Sequence, residues 1–343
     1  MNSRRRVLIT TRLFDDGARA LLRDNGCELV ESGLPPDATD DTLPDDELVR
    51  LAQDADGWII GIARLDDALL RQMPSLRIVA RRGVGYDRVD IGAAKAHGVM
   101  VTVAPGGNEP SVADHTVALM LAAGSHLVAS HVSLSAGDWR IQPRRELYRK
   151  TVGLIGCGRI GRQVVQRLHG FEVKVLVCDP VLAPGVAAAA GIELSDMDEL
   201  LRRSDIVSLH LPLTDDTRRI IDAAAIAHMK PGTIVINTAR GGLIDEEALL
   251  AALISGHLGG AGLDTFAAEG RTPLDATTQA LMRHPGVVGT PHAGGSSSEG
   301  LERTNMIAAQ CVLDVLDGRR PPAHCVVVEG RSEGRPADRR ELA

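Results

Sequence analysis

The apolar run Thr151-Val152-Gly153-Leu154-Ile155 feeds directly into Gly156-Cys157-Gly158-Arg159-Ile160-Gly161, and a helical pattern follows to about Leu168. Few chain geometries accept that order. In a strand-turn-helix unit the first glycine permits the tight turn and the second lets backbone approach a pyrophosphate. The third lets helix and strand pack closely, and the helix N-terminus then points at the phosphates. Asp179 closes the next apolar run, residues 173–178, where an acid can accept from both ribose hydroxyls. A carboxylate there repels a 2′-phosphate, and the following Pro180-Val181-Leu182 offers no arginine to offset it, so NAD is expected rather than NADP. Plain turn glycines and a strand-end aspartate would explain each part alone, but not strand, turn, helix, strand and acid in succession.

The rest of the chain is patterned to match. Apolar runs at 7–10, 58–60, 78–80 and 99–103 alternate with helical patterns at 18–24, 68–73 and 91–97. A second series holds a long helical stretch at about 111–130 and runs at 151–155, 173–178, 206–209, 233–237, 260–263 and 287–288. Unbroken apolar runs separated by helices indicate parallel sheets covered on both faces, an α/β architecture. At 343 residues the chain exceeds one ordinary core, so two domains are expected. A last helix at about 298–316 and a short run at 325–328 precede residues 331–343, which carry charge and Pro/Gly with little apolar content and are expected to be disordered.

Composition mainly excludes. A net charge of −7 gives no basic field for nucleic acid, and Arg4-Arg5-Arg6 reads as a solvated leader. No stretch is long and apolar enough for a membrane span or a signal-peptide core, which points to a cytoplasmic protein without a membrane partner. The five cysteines form no C-x-x-C pair, so neither disulfides nor a metal site is expected.

Three further segments each place a reactive side chain at or just past a strand end: Asn237-Thr238-Ala239-Arg240, Leu263-Asp264-Thr265-Phe266-Ala267-Ala268-Glu269, and Thr290-Pro291-His292. Open α/β sheets keep their ligands at that edge. Reduction of a 2-keto acid needs a planar cation for the carboxylate, a proton donor at the carbonyl oxygen, and a group that keeps the donor protonated. Arg240, His292 and Glu269 answer these needs in turn. Taken singly, a solvated arginine, a loop glutamate and a capping histidine are ordinary; their joint placement with the nucleotide fingerprint is not.

These segments, the first taken on to Glu246 and the last to Gly295, with residues 152–161, 80–90 (ARRGVGYDRVD), 111–116 (SVADHT) and His210-Leu211-Pro212-Leu213-Thr214, make the chain resemble the D-isomer-specific 2-hydroxyacid dehydrogenase family over nearly its whole length. The resemblance implies two doubly wound parallel-sheet domains: a Rossmann NAD-binding domain, 105–292, inserted into a flavodoxin-like substrate domain, 1–104 with 293–330. It implies Arg240, Glu269 and His292 as the catalytic trio. It implies NAD contacts from the glycine loop with Arg159 and Ile160, and from Asp179, Pro180, His210, Leu211, Pro212, Thr217, Ala239, Asp264 and Gly294, with Asp264 meeting the nicotinamide carboxamide. Substrate contacts would come from the backbone of Val84 and Gly85, from Asn108 and from Arg240. A homodimer joined through the NAD-binding domain is implied too; the apolar stretch 117–123 suits either that interface or a buried core helix.

There are departures. Gly270 follows the catalytic acid where the family usually has proline, and Asp114 replaces a glutamate. Phosphoglycerate dehydrogenases typically carry an arginine just after the strand at 58–60, to hold the substrate phosphate, and here that residue is Gly61. Arg64, Arg81 or Arg82 could substitute, but a non-phosphorylated 2-hydroxy or 2-keto acid is at least as well matched. The regulatory domain that some phosphoglycerate dehydrogenases append is not seen, so amino-acid feedback is not expected. Two other functions share much of the pattern: D-3-phosphoglycerate dehydrogenase proper, and an NAD(H)-sensing binding protein of the corepressor type. Formate oxidation is disfavoured by Glu269, where formate enzymes of this family place glutamine.

Overall fold

The computed structural model describes residues 5–35, 38–269 and 273–330, so Gly270 and the tail at 331–343 lie outside the described residues. Chain contacts divide it into two units, Met1–Asn108 with Ser296–Ala343, and Glu109–Gly295. These boundaries fall a few residues beyond those read from the sequence, because the helix that opens the second unit starts at Glu109 and the loop after the last strand of the second sheet stays with that sheet.

The first unit runs β1 (Arg5–Ile9), α1 (Asp16–Asp24), β2 (Cys27–Glu31), α2 (Asp45–Ala52), β3 (Gly57–Ile60), α3 (Asp67–Arg71), β4 (Ile78–Arg81), α4 (Ile91–His97) and β5 (Met100–Thr102). The second runs α5 (Glu109–Gly124), α6 (Leu127–Ser135), β6 (Thr151–Ile155), α7 (Arg159–Leu168), β7 (Lys174–Cys178), α8 (Pro184–Ala189), β8 (Ile192–Leu194), α9 (Met197–Arg203), β9 (Ile206–Leu209), α10 (Ala223–His228), β10 (Thr233–Asn237), α11 (Glu246–Ile254), β11 (Leu258–Leu263), α12 (Ala276–Arg283) and β12 (Val287–Gly289). The chain then completes the first unit with α13 (Ser298–Leu316) and β13 (Val326–Val328).

In the first unit the strand order is β13-β5-β4-β3-β1-β2, with β1 to β5 parallel and β13 antiparallel to β5. This is the flavodoxin-like order with one added edge strand. Two cores cover its faces: one gathers Leu8, Trp58, Ile60, Val79 and Val101, the other Val7, Ile9, Ile59, Ile78 and Ala80 with Val312 and Leu316 of α13. Alternate side chains of one strand thus enter opposite layers, which is why the strands read as unbroken apolar runs. The second sheet is parallel throughout, order β12-β11-β10-β9-β6-β7-β8, the doubly wound nucleotide-binding order with one strand added.

Aspartates set the helix starts. Asp15, Asp66 and Asp90 accept a backbone N–H two or three residues into α1, α3 and α4, and Asp196, Asp222, Asp245 and Asp275 do the same for α9 to α12. Each such cap contributes about 1 kcal/mol. The helix expected at 111–130 is broken at Ser125-His126, where His126 adopts a left-handed conformation (φ 52°). Residues Val117, Leu119, Met120 and Ala123 of α5 are buried in the second unit's core, so the 117–123 stretch is a core helix. No single described helix is long and apolar enough to cross a membrane; α5 and α6 together meet the length and composition, but bend by 59° at their junction.

Candidate active site

The second sheet's topology changes direction between β6 and β9, and residues following the C-terminal ends of its strands gather at one edge. The loop after β6 is shaped as the glycine pattern requires. Gly156 has φ 91°, and a Cβ on it would lie 2.6 Å from the His210 carbonyl oxygen; one on Gly161 would lie 2.8 Å from the Gly156 carbonyl oxygen. Gly158, by contrast, faces open space. It caps α7 without a side-chain hydrogen bond, leaving backbone donors at the helix start for an anion. On its inner face α7 buries Gly161, Val164, Val165 and Leu168, which fixes that helix start against the sheet.

Asp179, after β7, accepts from the Cys157 N–H at 2.7 Å and from the Val181 N–H at 2.9 Å. One carboxylate therefore clamps the glycine loop and still has lone pairs for two hydroxyls. Room at Gly158, helix-start donors and an acid beside the loop fit a dinucleotide. Of the other expected cofactor contacts, Arg159 and Pro180 are exposed, while Ile160, Leu211 and Ala239 are half-buried. His210 follows β9; burial pulls its imidazole down to about 4, so it is neutral at ordinary pH, and Nε2 meets the Ser208 hydroxyl at 2.9 Å. Thr217 uses its hydroxyl locally, donating to the Pro212 carbonyl at 2.7 Å and accepting from the Thr214 N–H at 2.7 Å.

Arg240, Glu269 and His292 follow the neighbouring strands β10, β11 and β12. His292 Nδ1 lies 2.5 Å from Glu269 Oε1, a charge-assisted distance when the ring is protonated, and both residues are exposed. His292 holds a left-handed backbone (φ 52°) directly after Pro291, a conformation that costs energy in a non-glycine residue and recurs at functional sites. The Arg240 turn is closed by Asn237, whose Nδ2 donates to the Arg240 carbonyl (2.8 Å) and whose Oδ1 accepts from the Ala239 N–H (3.0 Å). Next to it, a Cβ on Gly241 would run into the carbonyl oxygen of Phe266. The arginine loop thus lies directly on the segment that carries Glu269.

Asp264 is 1% exposed. Its carboxylate accepts from the Thr290 hydroxyl (2.6 Å), the Ala293 N–H (2.7 Å) and the Gly294 N–H (2.9 Å), and His115 Nε2 lies 3.4 Å away. Burial raises its pKa, but these hydrogen bonds outweigh burial and hold it below the usual carboxylate range. Asp264 thus ties down the loop that carries His292, and its own carbonyl accepts from the His292 N–H at 2.9 Å. Gly294 belongs to this anchored loop, and its carbonyl accepts from the Ser111 hydroxyl at 2.6 Å.

Sequence reading does not single out Glu246, whose Oε1 accepts from the Ala267 N–H at 2.6 Å and so ties the first turn of α11 to the Glu269 loop. Burial raises its pKa, with Asp275 and Asp245 adding to the effect. No local pattern announces such a link across the fold. Asp114, the departure on α5, forms an ion pair with Arg167 of α7.

In the first unit, Val84 and Gly85 lie in the loop after β4, where the Arg81 Nε donates to the Gly85 carbonyl at 2.6 Å. Asn108 ends the first segment of that unit with a buried Oδ1 that has no hydrogen-bond partner among the described residues.

A doubly wound sheet with a phosphate-binding glycine loop, an acid after the second strand and a carboxylate-histidine pair defines a nucleotide-dependent oxidoreductase type of site. Comparison with known proteins makes this more specific. Residues 117–294 match the model for the NAD-binding domain of the D-isomer specific 2-hydroxyacid dehydrogenases. The chain is 43% identical over 280 residues to D-3-phosphoglycerate dehydrogenase of Mycobacterium bovis, covering 81% of this chain and 52% of that protein. It is 39% identical over 283 residues to hydroxypyruvate reductase of Thermotoga maritima, covering 82% and 91%. The TT0316 protein of Thermus thermophilus superposes with a TM-score of 0.84 at 35% identity, covering 94% of this chain and all of that one. The chain belongs to the D-isomer-specific 2-hydroxyacid dehydrogenase family, and spans about half the length of its mycobacterial phosphoglycerate dehydrogenase relatives.

Proposed function

We propose that the protein is an NAD-dependent D-2-hydroxyacid dehydrogenase that interconverts a small 2-hydroxy acid and its 2-keto acid. The observation that carries this reading is the 2.5 Å contact between His292 and Glu269, beside the Arg240 loop and on the sheet that forms the dinucleotide loop. When bound, NAD(H) supplies or takes the hydride at C2. His292 gives a proton to the C2 oxygen in reduction and takes it back in oxidation. Glu269, 2.5 Å from Nδ1, fixes the ring's direction. Arg240 binds the substrate carboxylate through two parallel hydrogen bonds and stabilises negative charge growing on the C2 oxygen. Val84, Gly85 and Asn108 are assigned to substrate contacts as well.

The test is to mix purified protein with NADH and glyoxylate, pyruvate, hydroxypyruvate, a branched-chain keto acid or phosphohydroxypyruvate, and to follow cofactor absorbance. Turnover of at least one supports the reading; NADH binding without turnover of any would favour a nucleotide sensor. We also assign a homodimer through the second unit. Helix α6 buries none of its residues, and Leu127, Val128, Val132 and Leu134 are exposed, as are Trp139 (82%) and Ile141 (95%) in the segment that follows, apolar residues that a second copy of this chain would cover. Sedimentation of the wild type and of Val132→Asp decides it: a dimer that the charge dissociates supports the assignment, and a wild-type monomer overturns it. None of the five cysteines forms a disulfide, which suits a reducing cytoplasm.

A further inference from the structure

Within the second unit, Ser111, His115 and Thr116 of α5 reach the loops that carry Arg240 and His292. Gly262 of β11 lets the helix come this close: a Cβ there would lie 2.9 Å from the Leu119 Cβ, so α5 rests directly on the strand that leads into Asp264. Ser111 and His115, one helical turn apart, then meet the loop after β12. Ser111 donates to the Gly294 carbonyl at 2.6 Å, and a Cβ on Gly294 would lie 3.4 Å from His115 Cδ2. The Thr116 and Thr238 hydroxyls meet at 2.8 Å, in the turn that precedes Arg240.

His115 makes the most specific of these contacts. The Thr290 hydroxyl has a single hydrogen, which it donates to Asp264 Oδ1 at 2.6 Å, so toward His115 Nε2, 2.9 Å away, it can only accept. Nε2 therefore carries a proton in either charge state of the ring, and it also lies 3.4 Å from Asp264 Oδ1. The consequence falls on Asp264. Burial pushes its carboxyl up, and the contact with His115 is the largest of the influences that bring it down. As an anion Asp264 holds the Ala293 N–H at 2.7 Å and the Gly294 N–H at 2.9 Å, while its carbonyl accepts from the His292 N–H at 2.9 Å. These bonds flank His292 and maintain its left-handed backbone (φ 52°), a conformation that a residue with a Cβ holds at a cost.

We propose that His115 is a positioning residue for the proton donor: through Thr290 and Asp264 it holds the 290–294 loop in the conformation that sets the His292 ring against Glu269. The kinetic consequence rests on the dehydrogenase reading; the hold on the loop does not. Three variants separate positioning from space-filling. His115→Leu removes the donor and keeps bulk, His115→Gln keeps a side-chain N–H for Thr290, and Thr290→Val removes the hydroxyl at nearly constant shape. With a keto acid that the wild type turns over, His115→Leu and Thr290→Val lower kcat by about tenfold or more while KM stays within about threefold, and His115→Gln keeps kcat within about threefold of wild type. Combining His115→Leu with Thr290→Val costs no more than the worse of the two alone, because both cut the same link. Undiminished kcat in His115→Leu, His115→Gln as impaired as His115→Leu, or losses that multiply in the double variant overturn the positioning role. Hydrogen exchange of the cofactor-free protein, followed by mass spectrometry over residues 290–295, needs no turnover. In His115→Leu these amides exchange about tenfold faster than in the wild type, and in His115→Gln they keep their protection; equal protection in His115→Leu and wild type overturns the proposal. If the wild type turns over no keto acid, the dehydrogenase reading fails, and the exchange comparison by itself decides whether His115 holds the loop. Where His115→Leu does not fold, Thr290→Val is read in its place.

Discussion

At the scale of single residues, the arginine fork and the half-buried His210 make the sharpest predictions. Arg240 donates through Nη1 to the Ala239 carbonyl at 2.7 Å, so its own loop orients the guanidinium plane that the proposed carboxylate contact requires. Lysine at 240 keeps the charge and loses the second parallel bond. Arg240→Lys is expected to lower kcat/KM by about 10²-fold or more, with an unaltered thermal midpoint; unchanged kinetics would remove Arg240 from the site. His210 concerns stability instead. Its folded pKa of about 4 lies below the unfolded value of about 6.5, so between those pH values the unfolded chain binds one more proton. The contribution of the neutral ring is full above about pH 6.5 and is lost as pH falls toward about 4, with a slope of at most about 1.4 kcal/mol per pH unit. Urea titrations of the cofactor-free protein at pH 5 and 7 should show this loss, and His210→Gln should flatten it. An equally steep pH dependence in the variant would assign the loss to other groups.

At the scale of elements, the sequence is legible where a strand is an unbroken apolar run and illegible where charged residues interrupt it. The runs at 78–80, 151–155 and 206–209 are strands β4, β6 and β9, buried in mid-sheet. The edge strands β2, Cys27–Glu31, and β8, Ile192–Leu194, escape a reading by pattern, because each mixes glutamate with a few apolar residues and presents no unbroken run. The break between α5 and α6 is marked in the sequence only by Gly124, the last residue of α5, which a reading of one helix over 111–130 runs through. The glycine loop, Asp179 and the segments bearing Arg240, Glu269 and His292 can be read from local order; Glu246 cannot, because its role depends on backbone brought from 21 residues away. Glu246 also yields a prediction at this scale. Its bond to the Ala267 N–H sets the loop that presents Glu269, so Glu246→Ala should lower kcat more than it changes KM, while Glu246→Gln, which still accepts that hydrogen bond, should restore most of the rate. Equal kinetics for the two variants would show that the bond does not position the loop.

At the scale of the whole molecule, the two units differ in how the chain supplies them. The second unit is one continuous segment, residues 109–295, with a seven-stranded sheet and a core on each face drawn from its own residues. The first is assembled from two segments, and α13 from the later one supplies Val312, Leu313 and Leu316 to the core that covers Ile59, Ile78 and Ala80. A continuous unit with complete cores should fold alone, whereas one that lacks the helix covering a sheet face should expose that face and associate. Residues 109–295 made alone are therefore expected to unfold cooperatively and to quench or enhance NADH fluorescence on binding, because the glycine loop, Asp179 and the supports of both lie within the segment. Residues 1–108 made alone should aggregate, and adding the 296–343 segment through a short glycine-serine linker should restore solubility. If 109–295 shows no cooperative transition, its fold depends on residues outside its own two cores. If it folds but leaves NADH fluorescence unchanged, the glycine loop is not sufficient for the cofactor.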